Sequence, residues 1–69
     1  MRTVIQVGTP SDRHHVELKG QVPETEAIDR ARRIILANTR LSHPDRGYLI
    51  SCLDNGNYTY ELTTEPAHA

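Results

Sequence analysis

His14, His15, His43 and Cys52 are the residues of this chain whose types could hold a metal or attack a substrate. Structural zinc wants four ligands, usually paired Cys or His at set spacing. One cysteine and one adjacent histidine pair do not supply that set. Neighbouring side chains on a strand point to opposite faces, so His14 and His15 do not readily share an ion. They read as surface residues. Nucleophilic catalysis needs a nucleophile, a base and an orienting group within mutual reach. Cys52 has no neighbouring base in sequence and reads as a small hydrophobe, buried or half-buried. Asp12, Glu17, Asp45 and Asp54 stand singly, without a paired-carboxylate pattern. Gly8, Gly20, Gly47 and Gly56 fall at element ends rather than in a loop that cradles phosphate. The expectation is a protein that is not an enzyme and has no cofactor and no metal site.

What remains is recognition. Arg32, Arg33 and Arg40 lie around Leu36 at helical spacing, on the side away from the apolar stripe. An apolar anchor ringed by planar arginine donors is a common interface arrangement. A second candidate surface holds Tyr48 and Ile50, read as neighbours on an uncovered sheet face. Arg32, Arg33, Leu36, Arg40, Tyr48 and Ile50 are therefore the candidate partner-binding residues.

These residues must be positioned by a small scaffold. A chain of 69 residues has room for one domain, near the lower size limit for an unstapled core. Hydrophobic residues make up 36% with no Trp or Phe, so the core is thin and aliphatic. A partner or a second copy would add burial, and a homodimer is one expected form. Eight Lys and Arg against nine Asp and Glu give a net charge of −1, so no general attraction to nucleic acid or membrane follows. The lone Cys52 rules out an intramolecular disulfide and fits a reducing compartment. No segment approaches the roughly 20 apolar residues of a membrane helix, and there is no signal-peptide layout. A soluble, cytoplasmic protein is expected.

Arg2 to Gly8 is rich in β-formers, Thr9 to Arg13 has loop composition, and His14 to Gly20 alternates. Val16 and Leu18 fall on one face; His15, Glu17 and Lys19 fall on the other. These segments predict a hairpin with a longer connection. A helix is predicted from about Pro23 or Thr25 to Leu41. Ala27, Ile28, Ala31, Ile34, Ile35 and Leu41 form its apolar stripe, with Asn38 inside it bonding the backbone. Glu24 and Glu26 suit its positive end and Arg40 its negative end. Glu26 with Arg30 and Asp29 with Arg33 are i,i+4 pairs. Pro44 marks a turn over Ser42 to Arg46. Asn55-Gly56 then predicts a type I′ hairpin between strands Gly47–Asp54 and Asn57–Thr64. In that register Leu53 faces Tyr58, Ser51 faces Tyr60 and Leu49 faces Leu62, all toward the helix. Tyr48, Ile50, Cys52, Thr59, Glu61 and Thr63 face away, with Val4 beside them. The expected fold class is α+β: ββαββ, an antiparallel-rich four-stranded sheet with one helix on one face. Residues 1–64 would form the single domain and 65–69 a flexible tail.

His43-Pro44-Asp45 resembles the signature tripeptide of the J-domain cochaperones, and Arg30, Arg32, Arg33 and Arg40 match the basic helix ahead of it there. A J-domain needs a helix after this tripeptide and a further one before, where strands are expected here. The tripeptide is therefore read as a helix stop and turn. The order strand pair, helix, strand pair is similar to small phage-encoded anti-CRISPR inhibitors, with the stretch Thr25-Glu26-Ala27-Ile28-Asp29-Arg30-Ala31-Arg32-Arg33-Ile34 followed by a hairpin. That resemblance implies stoichiometric binding to a CRISPR effector subunit in a bacterial host, with no shared catalytic residues. The expected function is a non-catalytic phage-type protein that binds and inhibits a host protein or nucleoprotein complex. The alternatives are a nucleic-acid-binding accessory domain, disfavoured by charge and by the lack of Phe and Trp, and a structural subunit self-associating through the open sheet face or an edge strand.

Overall fold

The computed structural model describes residues 1–64; the tail expected at 65–69 lies outside them. The chain runs β1 (Arg2–Thr9), β2 (Asp12–Lys19), α1 (Glu24–Ala37), α2 (His43–Asp54) and β3 (Tyr58–Thr63). The class is α+β, but the element order is ββααβ. Among the described residues a three-stranded antiparallel sheet of order β2-β1-β3 replaces the predicted four strands, and two helices replace one.

Strand β1 takes the centre because it is the most apolar strand. Thr3, Ile5 and Val7 point to the helices and are fully buried, while Val4 is buried on the opposite face. The first hairpin is tighter than predicted. Thr9 pairs with Asp12, so only Pro10-Ser11 remain unpaired at the turn. Gly8 makes this approach feasible: it has φ 124°, and a Cβ there would stand 2.4 Å from the Asp12 carbonyl oxygen. On β2 the predicted alternation holds, with Val16 and Leu18 buried beneath the helices.

Helix α1 starts as expected. Pro23 precedes it with non-helical angles, and Glu24 and Glu26 occupy its first turn. It ends at Ala37, four residues before the predicted Leu41, because Asn38 turns extended. The Asn38 side-chain oxygen accepts the Arg40 backbone N–H at 3.0 Å, so its amide does bond the backbone. Arg40 thus lies beyond the helix. The cation at the negative end is Arg46, whose Nη1 donates to the Leu36 carbonyl at 3.2 Å. Ala27, Ala31 and Ile35 are buried, whereas Ile34 is 43% exposed and leaves the predicted stripe. It sits about 100° from Ile35 around the helix, just outside the arc that Ala27, Ala31 and Ile35 bury.

The largest departure is at residues 43–54, predicted as a turn and strand and observed as α2. Ser42 caps this helix by accepting the Asp45 N–H at 3.1 Å, and Pro44 lies in the first turn where its missing N–H costs nothing. Leu49, Cys52 and Leu53 stand at helical spacing and are buried. Asn55-Gly56 closes the helix rather than a hairpin. Gly56 has φ 78° while Asn55 keeps φ −95°, so the two positive angles of a type I′ turn are not met. The Asn57 N–H bonds the Cys52 carbonyl at 2.8 Å and the Gly56 N–H bonds that of Leu53 at 3.4 Å, the paired bonds of a Schellman C-cap. β3 then returns to pair with β1, with Ile5 opposite Tyr60. The predicted Leu53–Tyr58, Ser51–Tyr60 and Leu49–Leu62 pairs do not form.

Ile5, Val7, Val16, Leu18, Ile35 and Leu49 anchor one core between sheet and helices, with Leu41, Ile50, Tyr58 and Tyr60 at its border. The uncovered sheet face is polar. Arg2, Gln6, Arg13, His15, Glu17, Thr59, Glu61 and Thr63 share it with Val4. No helix among the described residues is long and apolar enough to cross a membrane.

Candidate partner-binding surface

The α1 residues nominated from sequence stay together. Leu36 is 54% exposed, one turn after Arg32 and Arg33 and just before Arg40. The arginines are partly engaged within the chain. Arg33 pairs with Asp29 at 2.8 Å, the predicted i,i+4 contact, as Arg30 does with Glu26 at 2.6 Å. Arg32 reaches across to Asp54 at the end of α2. Among the described residues Arg40 makes no ion pair. Arg46 joins this cluster through its bond to Leu36. Sequence reasoning missed Arg46 because a turn residue has no fixed relation to a helix end. Its signal was the Ser42-x-x-Asp45 spacing, which marks a helix start and puts Arg46 in its first turn. Arg32, Arg33 and Arg46 therefore border Leu36, against Asp29 and Asp54, while Arg40, past the end of α1, has lost the helical spacing that set it beside Leu36.

Tyr48 and Ile50 do not form the second patch. On a strand they would share a face; on α2 they are separated by about 200°. Ile50 packs against the core, whereas Tyr48 is exposed beside a shallow cleft between α2 and the β1–β2 turn, lined by Asp12, Arg13, His14, Leu41 and Leu49. Cys52, predicted on the open sheet face, lies on the buried side of α2. Buried in this way it acts as the small hydrophobe expected of it.

The histidines are scattered as well. His14 lies by the cleft, His15 is on the polar sheet face and His43 opens α2. Among the described residues no three His, Cys, Asp or Glu side chains gather as metal ligands would. His15 and Arg2 instead clasp Glu17, each at 2.9 Å. The hydrogen bond from His15, aided by the Arg2 charge, holds the Glu17 carboxyl below its usual range. On the far side of the sheet, the Tyr58 hydroxyl donates to Glu24 at 2.9 Å, and that carboxylate raises the phenol above its ordinary value.

His43-Pro44-Asp45 is not a helix stop; it is the first turn of α2. The helix that the J-domain comparison demanded after the tripeptide is therefore present, but the element ahead of α1 is the β1–β2 hairpin. No protein-family model matches this chain, and neither a curated protein nor a solved structure matches it.

Proposed function

We propose that this chain is a non-catalytic binding protein that docks on an acidic surface of a protein partner and inhibits it, in the manner of anti-CRISPR proteins acting on a CRISPR effector subunit. The observation that carries the reading is Leu36, 54% exposed beside Arg32, Arg33 and Arg46. A helix end with an apolar anchor and several directional cations suits a partner patch that pairs an apolar pocket with carboxylates. The bordering arginines are pre-ordered by Asp29, Asp54 and the Leu36 carbonyl, which lowers the ordering cost of binding. Nucleic acid is the weaker ligand on charge grounds, since the whole chain carries −1.

The test is phage plating on bacteria with active CRISPR interference, with and without this protein, together with pull-down of the effector complex. Protection of the phage and capture of the complex are expected. Arg33→Glu with Leu36→Glu should abolish both while leaving the circular dichroism spectrum unchanged. Full binding by that double variant would move the docking site elsewhere. Failure to protect phage from any interference type assayed would remove the anti-CRISPR form of the proposal.

A further inference from the structure

The two edges of the sheet are built differently. β2 carries Asp12, Arg13, Glu17 and Lys19, which discourage pairing with another strand. β3, Tyr58-Thr59-Tyr60-Glu61-Leu62-Thr63, has aromatic and β-branched residues, one charge and no proline. Its ladder to β1 fixes which backbone groups are free. The Gly8 N–H donates to the Asn57 carbonyl at 3.0 Å, and hydrogen-bonded pairs alternate along an antiparallel ladder. Asn57, Thr59, Glu61 and Thr63 therefore point their backbone groups at β1. Tyr58, Tyr60 and Leu62 point theirs outward, and among the described residues nothing else bonds them. On the helix-facing side the same edge is incompletely covered: Leu62 is 40% exposed.

We propose that β3 pairs antiparallel with β3 of a second copy of this chain, joining two three-stranded sheets into one six-stranded sheet about a two-fold axis at Tyr60. The register follows from side-chain chemistry. Centring the axis on Glu61 would put two carboxylates face to face, which is repulsive. Centring it on Tyr60 sets Tyr60 opposite its symmetry mate, Tyr58 opposite Leu62, and Thr59 opposite Glu61. In that register all the outward backbone groups of Tyr58, Tyr60 and Leu62 find partners. Leu62 of each copy gains an aromatic neighbour. Charge is complementary as well: the Arg13 guanidinium already reaches across β1 to the Thr59 hydroxyl at 3.4 Å, so it waits where the second copy's Glu61 would arrive. Within its own chain Glu61 makes no ion pair among the described residues. The helices of both copies lie on one side of the joined sheet, leaving the Leu36 surface free. The interface is thus independent of the proposed docking site.

Sedimentation equilibrium of the full chain, across micromolar to millimolar concentration, tests the pairing. A mass of twice 7.8 kDa is expected at the upper end. Leu62→Pro removes an outward N–H while sparing the β1 ladder, and should yield a monomer with an unchanged circular dichroism spectrum. Glu61→Arg sets like charges together twice per dimer and should raise the dissociation constant at least about tenfold. Adding Arg13→Glu to Glu61→Arg should restore it. A monomer throughout the range overturns the proposal. So does a dimer that survives both Leu62→Pro and Glu61→Arg, which would place the interface on another surface. Loss in Glu61→Arg without rescue by the swap overturns the register.

Discussion

Thr3 is the most consequential single polar residue. It is fully buried near the start of the central strand, yet its hydroxyl donates to the Gly20 carbonyl and accepts the Val22 N–H, each at 2.8 Å. One side chain thereby ties β1 to the connection that launches α1. Thr3→Val keeps the shape and strands both backbone groups, so a loss of about 1–3 kcal/mol is expected in urea unfolding. Glu17 acts at the same scale on the outer face. Its folded-state carboxyl is depressed, chiefly by the His15 hydrogen bond. The sign follows: the contact favours the folded state above the ordinary carboxylate range, and that contribution is lost as pH falls through the depressed value. A carboxyl-carbon NMR titration should find Glu17 low in the native protein and moved upward in His15→Ala. An unmoved midpoint would mean that Arg2 alone sets it.

At the scale of elements, α2 depends on its ends. Its apolar residues spread around much of the helix, so the pattern alone does not enforce a helical period. Ser42 supplies the start, and Gly56 in the left-handed region supplies the stop. Ser42→Ala should cost about 1 kcal/mol by removing the acceptor for the Asp45 N–H. Thermal melting reads this directly, and an unchanged melting temperature would show that Pro44 and tertiary packing suffice to start the helix. The Asn55-Gly56 pair shows why a local signal can mislead. A type I′ turn and a Schellman cap both demand positive φ at the glycine. Only the angle at Asn55 separates them, and asparagine tolerates either sign.

At the scale of the whole molecule, stability rests on few large side chains. Ile35 is fully buried between α1 and the sheet, whereas the adjoining Ile34 is 43% exposed. Ile35→Ala should therefore cost roughly 2–5 kcal/mol, a large share of what so small a domain has. Ile34→Ala should cost under about 1 kcal/mol, because much of that side chain already meets water. Comparable losses in chemical denaturation would put Ile34 inside the core after all. The aromatic hydroxyls show how the periphery is held. Tyr60 donates to the Val22 carbonyl at 2.6 Å and Tyr58 to Glu24, stitching the edge strand β3 to the start of α1.

The sequence by itself determined the parts governed by near neighbours. Alternation in Val16 and Leu18 placed β2, the spacing of Ala27, Ala31 and Ile35 gave α1 its buried face, and Leu36 was correctly turned to solvent. The Glu26–Arg30 and Asp29–Arg33 pairs formed as spaced. Tertiary structure decided the rest. Gly47-Tyr48-Leu49-Ile50-Ser51-Cys52-Leu53 has β-forming composition, but it must cover one end of a three-stranded sheet, and only a helix brings Leu49, Cys52 and Leu53 down together. Once that segment is helical, Tyr48 and Ile50 diverge, Arg46 joins Leu36, and among the described residues β3 pairs with β1 alone. β3 pairs across a long loop of sequence, and no local spacing encodes which strand it will meet. That pairing is what leaves its outer backbone groups free.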